Sequence, residues 1–149
     1  MKSTAQKLDK LINKFEILLC DVSKKQFKKK PEGKWSRKEE LGHCIDSAQN
    51  NIRRFIVGQY EQEPTIVYKQ DSWVSANNYR DFKIKELIKL WYMLNRQIVY
   101  ILNNMPHGKE QATCRSESVH TIEWLAEDYV KHMQHHLHHI LDLDPIPYP

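Results

Sequence analysis

Four stretches of this chain space their apolar residues three and four positions apart, the period of a helix with one buried face. Leu8, Leu11, Ile12, Phe15, Leu18, Leu19 and Val22 predict a first helix over 4–23. Leu41, Ile45, Ala48, Ile52 and Phe55 mark a second, which Ser36-Arg37-Lys38-Glu39 opens in the form of a capping box and Gly58 follows. Leu87, Leu90, Trp91, Leu94, Ile98, Ile101 and Leu102 predict a third over 83–104, stopped at Pro106-His107-Gly108. Ile122, Leu125, Tyr129, Met133, His136 and Ile140 share one face of a fourth over 119–141, which the Pro-rich tail from Asp144 to Pro149 cannot extend.

Residues 59–82 are mixed in pattern and contain Pro64, Asp71-Ser72 and Asn77-Asn78. They read as a long crossover with a short helix near 72–78, and connections of that length tend to be functional or to cover something. No alternating run makes a convincing strand. The fold expected is all-α, a four-helix bundle with a long crossover between helices 2 and 3, an architecture that builds metal sites from side chains on facing helices. No linker of Gly, Ser or Pro divides the 149 residues, so one domain over 1–149 is expected.

Charge and cysteine usage narrow the function classes. The net charge of +4 comes largely from Lys24, Lys25, Lys28, Lys29 and Lys30, a run that reads as a solvated inter-helix segment. No recognised nucleic-acid motif accompanies it. No apolar run approaches the ~18 residues of a membrane span, and the first residues lack the apolar core of a signal peptide. Cys20, Cys44 and Cys114 are odd in number and contain no Cys-x-x-Cys pair, which argues against a disulfide framework and a thiolate zinc site. A cytoplasmic protein with reduced thiols is expected.

Five of the eight histidines, His132, His135, His136, His138 and His139, fall in the fourth predicted helix. His136 lies on the apolar face with His132 one turn before it at the edge, while His135 and His138 point well away and His139 sits at the margin. Imidazoles at i and i+4 can converge on one ion. A His-rich helix is otherwise a solvated face with an occasional hydrogen-bonded core histidine, so spacing leaves both readings open. Two imidazoles beside an apolar stripe cost desolvation unless something pairs with them, and a metal would satisfy both. A third ligand must then come from elsewhere. His107 sits in a turn, His120 at a helix start and His43 inside the second helix, where it shares a polar strip with Ser47, Asn50 and Arg54. Spacing alone makes that strip exposed surface.

Residues 35–48, Trp-Ser-Arg-Lys-Glu-Glu-Leu-Gly-His-Cys-Ile-Asp-Ser-Ala, with Asn50-Asn51-Ile52-Arg53-Arg54-Phe55 after them, resemble the second-helix signature of the DinB/YfiT-like superfamily of metal-dependent enzymes. The resemblance extends to Asp71-Ser72-Trp73-Val74 in the crossover and to Asp128-Tyr129-Val130 followed by His132 and His136. It implies that His43, His132 and His136 hold one divalent ion, zinc or nickel. It also implies that Ser47, Asn50 and Arg54 line a polar, substrate-binding pocket. Cys44 stands where an aliphatic residue is common in the family, and one position from His43 it is expected in the core.

Three protein ligands leave a coordination position for water or substrate. Neutral imidazoles leave the ion's double charge intact, so it can acidify a bound water or hold a thiolate. The resemblance implies transfer chemistry that uses a low-molecular-weight thiol, with metal-dependent hydrolysis as the alternative. A metal-buffering or sensing bundle is the non-enzymatic rival, with His135, His138 and His139 as surplus ligands. Arg54, Arg80 or Arg96 could each take a substrate carboxylate, Asp46 and Asp128 could orient ligands, and no general base stands out. A homodimer is implied by the resemblance, with Trp73, Trp91, Tyr92 and Tyr148 as candidate anchors.

Overall fold

The computed structural model describes residues 1–148 and is mainly helical. Four long helices form the bundle: α1 (Lys2–Asp21), α3 (Arg37–Val57), α5 (Ile84–Asn103) and α6 (Ile122–Ile140), with short helices α2 (Lys24–Lys28) and α4 (Gln70–Asn77) between them. Helix α1 packs on α5, and α3 packs on both α5 and α6. The shared core includes Leu8, Phe15, Leu41, Trp91, Ile98 and Met133. No helix among the described residues is long and apolar enough to cross a membrane.

The apolar stripes place the four long helices to within a few residues, and the differences have local causes. Helix α1 stops at Asp21 because Ser23 opens a second capping box with Gln26. The first part of the lysine run therefore coils into α2, pinned by the buried ring of Phe27, while its lysines stay exposed as a solvated segment between helices. At the other end, α6 begins at Ile122, where Thr121 accepts the amide of Trp124. Residues 119–121, expected as helix, are strand β2 (Val119–Thr121), paired antiparallel with β1 (Thr113–Arg115). Cys114 is buried in that hairpin and Cys44 in the core.

The crossover is fastened at both ends. Arg115 exchanges backbone hydrogen bonds with Pro64 and Ile66, which docks the hairpin on the crossover's first residues. Near its far end, the Tyr79 ring packs on Gly42 of α3, so close that a β-carbon at Gly42 would run into it. The Tyr79 hydroxyl and the Asn77 amide both donate to Asp46. The result is a bundle open on one side of α3 and α6, with the crossover and hairpin as walls.

Candidate metal centre

Helix α3 is buried on both sides. Leu41, Ile45 and Ala48 face the bundle core, and the strip that spacing assigns to solvent faces α6 and the crossover instead: His43 is 1% exposed and Ser47 4%. On α6 the buried stripe runs Leu125, Tyr129, Met133, Leu137 and Ile140, so Leu137 takes the place expected for His136. His132 and His136 occupy the flank of that stripe, turned toward α3.

Three imidazoles meet there. His132 Nε2 lies 3.2 Å from His43 Nε2 and 3.1 Å from His136 Nε2, and the ligand atoms of all three lie within 4.8 Å of one another. Nitrogens bound tetrahedrally at about 2.0–2.1 Å from one zinc ion stand about 3.3 Å apart, so the spacing suits a shared ion. The electrostatics agree. Burial pushes His43 down to about 3 and His132 down to about 2, each helped by the neighbouring imidazoles, so both rings are neutral at ordinary pH and offer lone pairs. His43 Nδ1 is buried and has no partner among the described residues.

Glu40 orients His136, and spacing did not single it out. Its two carboxylate oxygens lie 2.8 Å from His136 Nδ1 and 2.6 Å from His139 Nδ1. Burial works against its charge, yet the hydrogen bonds from these two rings hold its pKa below the ordinary carboxylate value. A carboxylate can only accept, so the His136 proton sits on Nδ1 and Nε2 is left free to bind an ion. The signal available in the sequence is position: Glu40 lies one turn before His43 on the same helix.

The other candidates separate. Ser47 lies beside the cluster, its hydroxyl 3.4 Å from His132 Nδ1. Asn50 is buried and donates to the Asp46 carbonyl, and Asn51 rather than Asn50 lines the cavity. Asp46 takes its contacts from Tyr79 and Asn77, not from an imidazole. Asp128 accepts the Tyr148 hydroxyl at 2.9 and 3.0 Å, and the Tyr148 ring stands edge-on to His132. Arg80 and Arg96 are committed to ion pairs with Glu39 and Asp9, which leaves Arg54 as the arginine in the cavity wall. The cavity holds about 840 Å³, lined by residues of α3, α6, the crossover, the hairpin turn and Tyr148. His135 and His138 face away from it and donate Nδ1–H to the carbonyls of Ile146 and Asp144, clamping the tail that carries Tyr148.

The family model of the DinB superfamily matches residues 7–140 of this chain. The chain belongs to the DinB superfamily. A Bacillus mycoides (strain KBAB4) protein named a putative metal-dependent hydrolase is 26% identical over 141 residues, covering 93% of this chain and 82% of its own. The structure of YfiT from Bacillus subtilis, described as a probable metal-dependent hydrolase with an unusual four-helix bundle topology, superposes with a TM-score of 0.83. That match has 20% identity and covers 94% of this chain and 83% of YfiT, so it bears on the fold alone. The DinB bundle thus accounts for the element order, and this chain's own side chains supply the three-histidine centre.

Proposed function

We propose that this chain is a metal-dependent enzyme in which His43, His132 and His136 hold one divalent ion, zinc or nickel, at the inner end of a cavity that admits a small molecule. The observation that carries the reading is the convergence of three Nε2 atoms from α3 and α6, two contacts at 3.1 and 3.2 Å, with burial keeping the His43 and His132 rings neutral. Such an ion supplies a Lewis-acidic position at which water or a thiol loses its proton near neutral pH. The protein's part is to fix the His136 ring through Glu40, to set Tyr148 beside His132 at the cavity, and to admit the reactant between crossover and hairpin.

For the reaction we favour transfer of a low-molecular-weight thiol. A cavity of about 840 Å³ lies near the upper end of the range for single ligands, which leaves room for a thiol beside its electrophile. Hydrolysis is the second reading, supported by the names of the two relatives. The buffering alternative loses support because, among the described residues, only His43, His132 and His136 bring their ligand atoms within 4.8 Å of one another, and His135, His138 and His139 join no such group. The test is metal analysis of untagged protein, then titration of its cobalt form with thiols. One ion per chain and a sulfur-to-cobalt charge-transfer band support thiol transfer; turnover of ester or amide substrates without that band supports hydrolysis. Several loosely held ions would overturn the enzyme reading.

The proposal extends to location and assembly. The three free cysteines suit a cytoplasmic protein. A homodimer would need anchors other than Trp91, which is fully buried, and Tyr148, which serves the cavity. Light scattering is expected to give twice the 17.9 kDa chain mass, and a monomer would reject the dimer.

A further inference from the structure

Arginines in this molecule find carboxylates. Arg37 pairs with Asp142, Arg80 with Glu39, Arg96 with Asp9 and Arg115 with Glu63, while Arg53 is exposed. Arg54 is different: its side chain lines the metal cavity, and among the described residues it has no carboxylate partner. Its contacts are neutral. Nε and Nη2 donate to the Ile66 carbonyl at 3.1 and 2.9 Å, and Nη1 donates to Asn51 Oδ1 at 3.3 Å. These bonds use three of the five N–H groups of a guanidinium. They fix its plane without cancelling its charge, and the Tyr68 ring centre lies 6.0 Å from its Cζ. Holding the Ile66 carbonyl is one role for the residue, but a neutral donor would do that without the cost of half-burying a cation.

Asp128 and Glu117 line the same cavity and favour the charge of Arg54 from a distance, but neither forms an ion pair with it: Glu117 is exposed, as is Asp71, and Asp128 accepts the Tyr148 hydroxyl. The position relative to the imidazoles sets a length. Ser47, whose hydroxyl lies 3.4 Å from His132, precedes Arg54 by two helical turns, about 10 Å along the axis. The arginine side chain leans back toward the helix N-terminus, which shortens that span.

We propose that Arg54 is the receptor for an oxyanion on the substrate, a carboxylate or phosphate held by the free edge of its guanidinium, several bonds from the group that reacts at the three imidazoles. This rests on the metal-enzyme reading of the same cavity and narrows its substrate to small anions. Neutral esters and thiols without a second charged group offer no partner for the Arg54 guanidinium.

The experiment is calorimetric titration of metal-free and zinc-loaded protein with glutarate, glutaramide and n-butyl phosphate, using wild type, Arg54→Gln and Arg54→Lys, with zinc stoichiometry measured on each sample. Wild type is expected to bind glutarate or butyl phosphate at least about ten-fold more tightly than glutaramide, with or without zinc; the larger of the two affinities identifies the oxyanion. Arg54→Gln removes that preference and leaves zinc stoichiometry unchanged. Arg54→Lys keeps the charge but loses the two-pronged geometry, so it retains only part of the preference; it carries the test if the Gln variant does not fold. Equal binding of the charged and neutral probes by wild type, or a preference that survives in both variants, overturns the proposal. Loss of zinc binding by wild type would instead sink the metal reading, and the metal-free titrations would still decide the role of Arg54.

Discussion

At the scale of single residues, the same histidine does different work according to what its second nitrogen meets. Nδ1 is engaged in His136, by Glu40, and in His135 and His138, by tail carbonyls, but of these three only His136 converges with the imidazoles of His43 and His132. Alanine at His43, His132 or His136 is therefore expected to remove most of the bound ion, as read by metal analysis. Alanine at His135 or His138 should leave occupancy unchanged while loosening the tail. An ion retained by all three of the first variants would exclude them as its ligands. Glu40 gives a finer test. Replacing it by Gln keeps its shape but offers one acceptor oxygen to two rings that now share two, and removes the charge that raises imidazole basicity. Metal affinity, measured by competition with a chelating dye, is expected to fall about 10–100-fold; an unchanged affinity would reduce Glu40 to a link between α3 and α6.

At the scale of elements, the bundle was legible because four apolar stripes of helical period each bury one face, and Ser36 with Glu39 marks the start of α3 as the capping-box pattern requires. The hairpin was not legible, since strands of three residues are too short to show an alternating period. Nor was the burial of His43: periodicity reports the apolar half of a helix and assigns the polar half to water, but α3 is covered on both halves. Its Asp46 supplies a prediction. Oδ1 takes the Tyr79 and Asn77 bonds, Oδ2 is buried with no partner among the described residues, and burial pushes the carboxyl up to about 6 from an ordinary 3.8. Between those values the folded chain holds a proton that the unfolded chain has released, so stability should fall as pH rises from about 4 to about 6. Asp46→Asn cannot titrate. Urea unfolding of the two proteins across that window should show their stability difference changing with pH, and a constant difference would mean that Asp46 titrates alike in both states.

At the scale of the whole molecule, the three imidazoles come from α3 and α6, helices separated in sequence by the crossover, α5 and the hairpin. An ion between them would act as a cross-link that binds the folded chain and not the unfolded one. Free ion at 1,000 times its dissociation constant stabilises by about 4 kcal/mol, and for a chain of this size each kcal/mol moves the melting temperature by about 2–4 °C. Removing the ion with a chelator is thus expected to lower Tm by about 10 °C. Helicity should survive. The core of Leu8, Phe15, Leu41, Trp91, Ile98 and Met133 is closed without any contribution from the cluster, and α1 and α5 pack on each other away from it. Circular dichroism at 25 °C before and after chelation, followed by a thermal scan, makes the comparison. Loss of the helical signal at 25 °C would mean that the ion holds the fold together rather than serving a preformed cavity, and an unchanged Tm would mean that no ion bridges α3 and α6.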